Sequence, residues 1–390
     1  MPEIQQFEHN GASVNATEPP APMGPLSANI IGIVGTAPDR DASVPVNVPY
    51  RINSMAGVAK LDTTGEEKGT LYQAAYQTLR KSACVIYVVV VEEGAEAAET
   101  QAAIIGGVDA ASGQPTGIAA LATCAEVPNL LGAPGFASEK AVIDALCSLA
   151  KRIRARVLID GVEGAYEAVI AQSADLGGED LGYERCYLVY QQCQVYSKAA
   201  LGEIFVPPST MALGCFAAVK PWESPGNQGV YIDGVLREVD YNIVDTTSTG
   251  DLLNKNGVSY YARTTMGGYS LIGNRSVTGK FISHVGLEDE IARKLCATAQ
   301  KVMAKNLTIA FMQQELRRLS NWGQSLVADG VIPIFECYLH PTLNSAEKYN
   351  NGTWYIVLNY ARYSPNEHMV YQLNASEDLQ AEFVEAMLDG

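Results

Sequence analysis

From Ala28 onward the chain follows a rhythm that constrains its fold more than any other feature: short, continuous runs of aliphatic and β-branched residues alternate with longer amphipathic stretches. The first run is Ala28-Asn29-Ile30-Ile31-Gly32-Ile33-Val34-Gly35, and further ones span Val85 to Glu92, Asn129 to Gly132, Arg156 to Asp160 and Arg185 to Tyr190. A strand with one wet face alternates apolar and polar residues, whereas a strand apolar throughout is covered on both faces. Between these runs the spacing predicts helices over 69–81, 138–153 and 164–174. In the second of these, Ser138 stands where an N-cap belongs, and Val142, Leu146, Leu149 and Ile153 recur at three- and four-residue steps. The pattern predicts an α/β domain with a largely parallel sheet between two helical layers.

The character changes further along. A Pro-bounded helix is expected at 207–219, then a β-turn around Asp233-Gly234, and the polar run Asp245 to Gly250 is the best candidate boundary. Beyond it, Val258 to Ala262 and Tyr269 to Ile272 read as strands flanking a Gly267-Gly268 turn. Helices are expected at 287–305 and at 309–328, the second capped by Thr308 and interrupted at Gly323. Strands follow near Ile332 to Tyr338, Thr353 to Tyr360 and Met369 to Leu373, then an acidic helix from Ser376 to Leu388. This second part reads as α+β. The expected organisation is an arm over 1–27, an α/β domain over 28–244, an α+β domain over 245–362 and a C-terminal strand and short helix over 363–390.

The first 27 residues stand apart. A short alternating stretch, Ile4-Gln5-Gln6-Phe7, leads into a Pro-rich run that denies both helix and central strand. Either an extended arm with one strand-capable piece or a frayed terminus fits. The N-terminal residues lack the basic and apolar regions of a secretory signal, so a cytosolic protein is expected. Lys and Arg number 27 against 43 Asp and Glu, a formal charge of −16, which argues against gripping nucleic acid or an anionic membrane. No apolar run is long enough to suggest a membrane span.

Chemistry has no visible address. The cysteines Cys84, Cys124, Cys147, Cys186, Cys193, Cys215, Cys296 and Cys337 are scattered without a C-x-x-C pair and read as buried thiols, while His9, His284, His340 and His368 lack metal-site spacing. No metal, cofactor or catalytic residue is therefore expected. Gly32-x-x-Gly35 followed by Pro38 only loosely suggests a phosphate loop, and Ser148-x-x-Lys151 lies inside a predicted helix. Glu288-Asp289-Glu290 reads as acidic residues opening a helix, offsetting its positive end.

Several stretches together resemble the tail sheath proteins of contractile phages and R-type bacteriocins, especially those of P2-like phages. Asp251-Leu252-Leu253-Asn254 leading through Gly257-Val258 into a strand, then Gly273-Asn274-Arg275-Ser276, match motifs of that family in order and separation. Upstream, Leu130-Leu131-Gly132-Ala133-Pro134-Gly135 is similar to its L-G-x-P-G stretch. Asp329-Gly330-x-Ile332, Trp354-Tyr355-Ile356 and Tyr363-Ser364-Pro365 follow its closing order, so the resemblance covers roughly 130–370.

The resemblance implies a structural, non-enzymatic subunit that polymerises with itself as stacked hexameric rings around an inner tail tube protein. It also implies baseplate and tail terminator partners, no direct nucleic acid and no membrane insertion. The polymer would form a virion tail or tail-like particle, assembled in the host cytoplasm. The α/β domain would lie outside and the α+β domain would face the tube. Arms carrying Ile4 and Phe7 at one end and Val370, Tyr371 and Leu373 at the other would add strands to neighbouring subunits. Related sheaths present a helix to the tube, and here Arg293, Lys294, Lys301 and Lys305 form a cationic stripe suited to an acidic surface, or to no more than a solvated face. Contraction would draw on a metastable extended state, without nucleotide. The alternatives are an α/β enzyme binding a nucleotide near Gly35, and a non-contractile tube or shell subunit.

Overall fold

A computed structural model of the chain describes residues 23–178 and 181–388. The first half lays down β1 (Ile30–Thr36), β2 (Tyr50–Ile52), α1 (Met55–Val58), α2 (Leu71–Lys81), β3 (Val85–Val91), α3 (Ala97–Ile105), β4 (Leu130–Gly132), α4 (Lys140–Ile153), β5 (Arg156–Asp160) and α5 (Tyr166–Leu176). Then come β6 (Cys186–Val189), β7 (Cys193–Ser197), β8 (Gly202–Val206), α6 (Pro208–Ala217), β9 (Gln228–Val230), β10 (Gly234–Val235), α7 (Thr249–Lys255), β11 (Val258–Arg263) and β12 (Tyr269–Ile272). The last part holds α8 (Ile282–Ala299), α9 (Ile309–Ala328), β13 (Phe335–Leu339), α10 (Ala346–Asn350), β14 (Ile356–Tyr360) and α11 (Glu377–Leu388).

Nine strands form one sheet in the order β2-β3-β1-β4-β5-β6-β11-β12-β9. From β3 to β11 the neighbours run parallel, and β2, β12 and β9 pair antiparallel at the margins. The apolar runs do what their composition demands: alternate residues of each strand enter opposite cores. Ile31, Ile33, Ile86 and Val88 pack under α2 and α6, while Val34, Val89, Val157 and Ile159 pack under α3, α4 and α5. Helix α6 begins at Pro208 and is buried from there to Phe216, as its apolar circumference requires. A small sheet, β10-β7-β8, lies against the first core through Cys193, Val195 and Val206.

Several local expectations give way to packing. Helix α4 starts one residue after Glu139, with no side-chain cap from Ser138. The polar run at 245–250 caps a helix: Ser248 accepts from the Asp251 N–H and starts α7. The next strand, β11, then continues the large sheet beside β6. A separate core begins only at α8, where Leu287, Ile291, Leu319, Trp322, Leu326 and Phe335 cluster with Met23 and Leu26 from the end of the N-terminal segment. Helix α9, capped by Thr308 as expected, runs unbroken through Gly323. Glycine is needed there because a Cβ would stand 1.9 Å from the Phe335 ring of β13. Helix α8 starts earlier and ends sooner than its sequence suggested, so Lys301 and Lys305 lie beyond its last turn.

Candidate assembly interface

In open α/β sheets ligands gather where the parallel strands end. Here that end is filled. A Cβ on Gly35 would lie 2.3 Å from the Thr70 hydroxyl and 3.0 Å from Leu71, so this glycine admits the start of α2. Asp160 spends both carboxylate oxygens on backbone, accepting from the Gly135 N–H at 3.1 Å and the Ser209 N–H at 2.8 Å. Burial raises its pKa. Among the described residues no group of three His, Cys, Asp or Glu side chains could hold a metal, and no helix is long and apolar enough to cross a membrane.

The opposite end of the strands carries a buried polar joint. Arg185 donates through Nε and Nη2 to the two Asp289 oxygens, each at 2.8 Å, and Asn129 donates to Glu290 at 2.8 Å. Arg293 turns inward and donates to the Pro128 and Ile153 carbonyls at 2.7 and 3.0 Å. Deeper still, Arg156 donates to Asn29 and, at 3.2 Å, to the Pro221 carbonyl, and burial lowers its pKa to about 10. Burial likewise lowers Arg293 and raises Glu290, each partly offset by the other's charge. Helix α8 is thus bolted across the starting ends of β1, β4, β5 and β6. Asp289 and Glu290, expected to open a helix, sit in its middle and face these partners. No local signal could show this, because Arg185 lies 104 residues from Asp289.

The residues of the family-like motifs build turns and crossings. Leu131 and Gly132 lie in β4, and buried Pro134 leads to Gly135, whose φ of +85° suits glycine. Leu253 is buried on α7, and the Asn254 carbonyl accepts from the Gly257 N–H at 3.1 Å. Gly273, at φ +130°, passes so close to Ser259 that a Cβ would stand 2.3 Å from its hydroxyl. Asn274 accepts from Ser224, and its carbonyl receives the Ile282 N–H at 3.0 Å. Arg275 stacks on Phe281, 4.1 Å from the ring centre, and donates to Glu367 at 2.9 and 2.7 Å.

That last contact fastens the final part of the chain. After β14, Arg362 pairs with Glu288, and His284 Nε2 meets the Tyr363 carbonyl at 3.1 Å. Burial lowers the His284 pKa, and the neighbouring Arg362 and Arg275 act the same way. Past Glu367 the packing stops. The stretch expected as a strand forms none and pairs with none of the described residues, and Val370, Tyr371 and Leu373 are exposed to 76%, 78% and 93%. Helix α11 buries nothing, although Leu379, Phe383, Val384, Met387 and Leu388 share one side of it. Close by in sequence, β13 and β14 form a sheet of two strands, each with an open edge among the described residues.

Of the cationic stripe, Lys294 is half-buried on α8, Lys301 and Lys305 are exposed beyond it, and Arg293 is occupied as described. Ile4 and Phe7 lie outside the described residues.

No family model matches the sequence. A putative prophage major tail sheath protein of Pseudomonas aeruginosa (strain UCBPP-PA14) is 28% identical over 374 residues, covering 92% of this chain and 94% of the relative. A tail sheath protein of Burkholderia phage BcepMu is 25% identical over 301 residues, covering 72% of this chain and 62% of its own length. Among solved structures, the sheath complex of the extracellular contractile injection system PVC in its contracted state superposes with a TM-score of 0.70 over 96% of this chain and 100% of that one, at 14% identity. The chain is a relative of tail sheath proteins and has the contractile-sheath fold. A chain of the baseplate structure of the anti-feeding prophage matches equally broadly, with a TM-score of 0.69 at 16% identity over 95% of this chain and 100% of that one.

Proposed function

We propose that this chain is a structural subunit of a contractile tail sheath, on a phage or a phage-tail-like particle. In this reading it polymerises with itself as stacked hexameric rings around an inner tail tube. It is not an enzyme. The observation that carries the reading is the end of the chain: from Met369 to Leu388 it exposes apolar side chains on an irregular stretch and a helix that bury nothing against the described residues. Isolated, such a segment is a liability, whereas in a polymer it is a connector.

The energetics suit that role. A donated strand of four or five hydrogen bonds contributes on the order of 2–7 kcal/mol, at about 0.5–1.5 kcal/mol each. Covering the apolar side of α11 adds roughly 1.5–3 kcal/mol per side chain before ordering costs. The connector leaves the body at Glu367, so a neighbour can be held while the rigid bodies turn. Contraction then follows from release of a metastable extended state as the bodies bury more surface against one another. The α8 joint keeps each body stiff enough to transmit force.

In the same reading the N-terminal arm with Ile4 and Phe7 makes a second connection, and the tube, baseplate and tail terminator are the other partners. No nucleic acid is gripped and no membrane is entered. Lys294, Lys301 and Lys305 remain available to meet an acidic tube surface. Assembly would take place in the host cytoplasm and the product would be the tail of the particle.

Negative-stain microscopy of the purified full chain tests the proposal. Long hollow cylinders of uniform width are expected. Discrete monomers or dimers at all concentrations, with ligand-induced stabilisation by a nucleotide, would overturn it in favour of an α/β enzyme.

A further inference from the structure

The Cys147 and Cys186 sulfurs lie 2.9 Å apart, both as free thiols. Among the described residues no other two cysteine sulfurs meet in this way. Cys147 is half-buried on α4, nearly two turns before the helix ends, and Cys186 opens β6 with its side chain wholly buried. The contact therefore joins a covering helix to the sheet beneath it, across 39 residues of chain. A disulfide needs sulfurs about 2.05 Å apart, so less than about 1 Å of closure separates this pair from a bond.

We propose that Cys147 and Cys186 are a built-in oxidation site that closes to an intramolecular disulfide when the protein meets peroxide, locking α4 onto β6. Cys147, the sulfur that solvent reaches, attacks the peroxide O–O bond as its thiolate and becomes a sulfenic acid, releasing hydroxide. Cys186 then attacks the sulfenic sulfur and displaces its oxygen. Two thiols and one peroxide give one disulfide and two waters: two electrons pass from sulfur to oxygen, and the thiol protons end in water. The order of events follows from placement. Contact with Cys147, burial and the nearby carboxylates of Glu184 and Asp144 hold Cys186 well above the ordinary thiol pKa, so it serves as the resolving partner. The exposed Cys296 is an internal control for peroxide access.

The test is peptide mapping of the full-length chain, before and after hydrogen peroxide, without reductant. Trypsin should release residues 141–151 joined to residues 186–198. The second peptide also holds Cys193, so a chymotryptic digest cutting after Tyr187 or Tyr190 assigns the bond without any variant. Oxidation should raise the melting temperature by about 5 °C, reversibly with dithiothreitol, as expected for closing a loop of this length. In Cys147→Ser the shift should vanish. The proposal is overturned if Cys296 oxidises while Cys147 and Cys186 stay reduced. It is equally overturned if Cys147 accumulates as a sulfinic acid or in a bond to another chain.

Discussion

The nine-stranded sheet and the C-terminal part of the chain handle exposed backbone in opposite ways. The large sheet ends in β2 and β9, strands of three residues each, so its margins offer little for another chain to pair with. The two-stranded sheet of β13 and β14 has five residues in each strand and, among the described residues, an open edge on both sides, and the segment after it is exposed and carries apolar side chains. One region is finished within the monomer, and in the proposed assembly the other is finished by a neighbour. On the proposed reading strength and connectivity are separated in this molecule: the body resists deformation through its core and the α8 joint, and attachment is left to the C-terminal end.

That contrast can be broken at the joint. Replacing Asp289 by Ala takes the bidentate partner from the half-buried Arg185, which keeps Glu184, and a loss of about 2–3 kcal/mol is expected in denaturant unfolding. Loss of less than about 1 kcal/mol would mean the joint is ornamental. Gly323→Ala, which drives a methyl into the Phe335 ring, should cost about 1–3 kcal/mol in the same experiment. Near-unchanged stability there would show that β13 can move away from α9, against the picture of a stiff body.

The opposite result is expected in the tail. Phe383→Ser on α11 should leave the melting of the dispersed subunit within about 1 °C, while sharply raising the concentration needed to polymerise. Arg275→Ala frees Glu367 from a contact that solvent partly reaches, so about 0.5–1 kcal/mol or less is expected in stability, with a more protease-sensitive tail. The smallest effect comes from His284. Its pKa is lowered on folding, so the unfolded chain binds the proton more readily. The contribution is fully present above the ordinary value of 6.5 and is lost as pH falls through the lower folded value. Tail protection should therefore weaken slightly on acidification below 6.5, and His284→Gln should flatten that dependence in hydrogen exchange.

The two regions also differed in how far the sequence revealed them. Parallel strands such as Arg156–Asp160 are apolar runs because both faces are buried, and that composition shows their bounds without a structure. Helices with one apolar stripe, such as α4 and α9, were as plain. Less visible were β7 and β8, whose partners are each other and a two-residue strand, and α3, which is apolar without a clear face. The Arg185–Asp289 pair was hidden because charge chemistry shows which residues seek partners, and only the fold shows which they find. At the other end β-propensity predicts a strand at Met369–Leu373, yet it pairs with none of the described residues. Propensity marks what a segment can do, and in the proposed assembly a second molecule supplies the edge. The motif around Gly273-Asn274-Arg275 was legible as a resemblance, but its work, turning the chain beside Ser259 and holding Glu367, needed coordinates.

The most direct test removes the connector and keeps the body. A chain ending at Glu367 lacks every residue from His368 onward, a segment with no buried residue among those described. Melting and negative-stain microscopy should be compared for this chain and the full one. If the C-terminal connector holds the polymer together, the shortened protein melts within about 2 °C of the dispersed full-length subunit and forms no cylinders at any concentration. Cylinders built by the shortened protein would contradict that claim, because the polymer would then be held together by surfaces of the body.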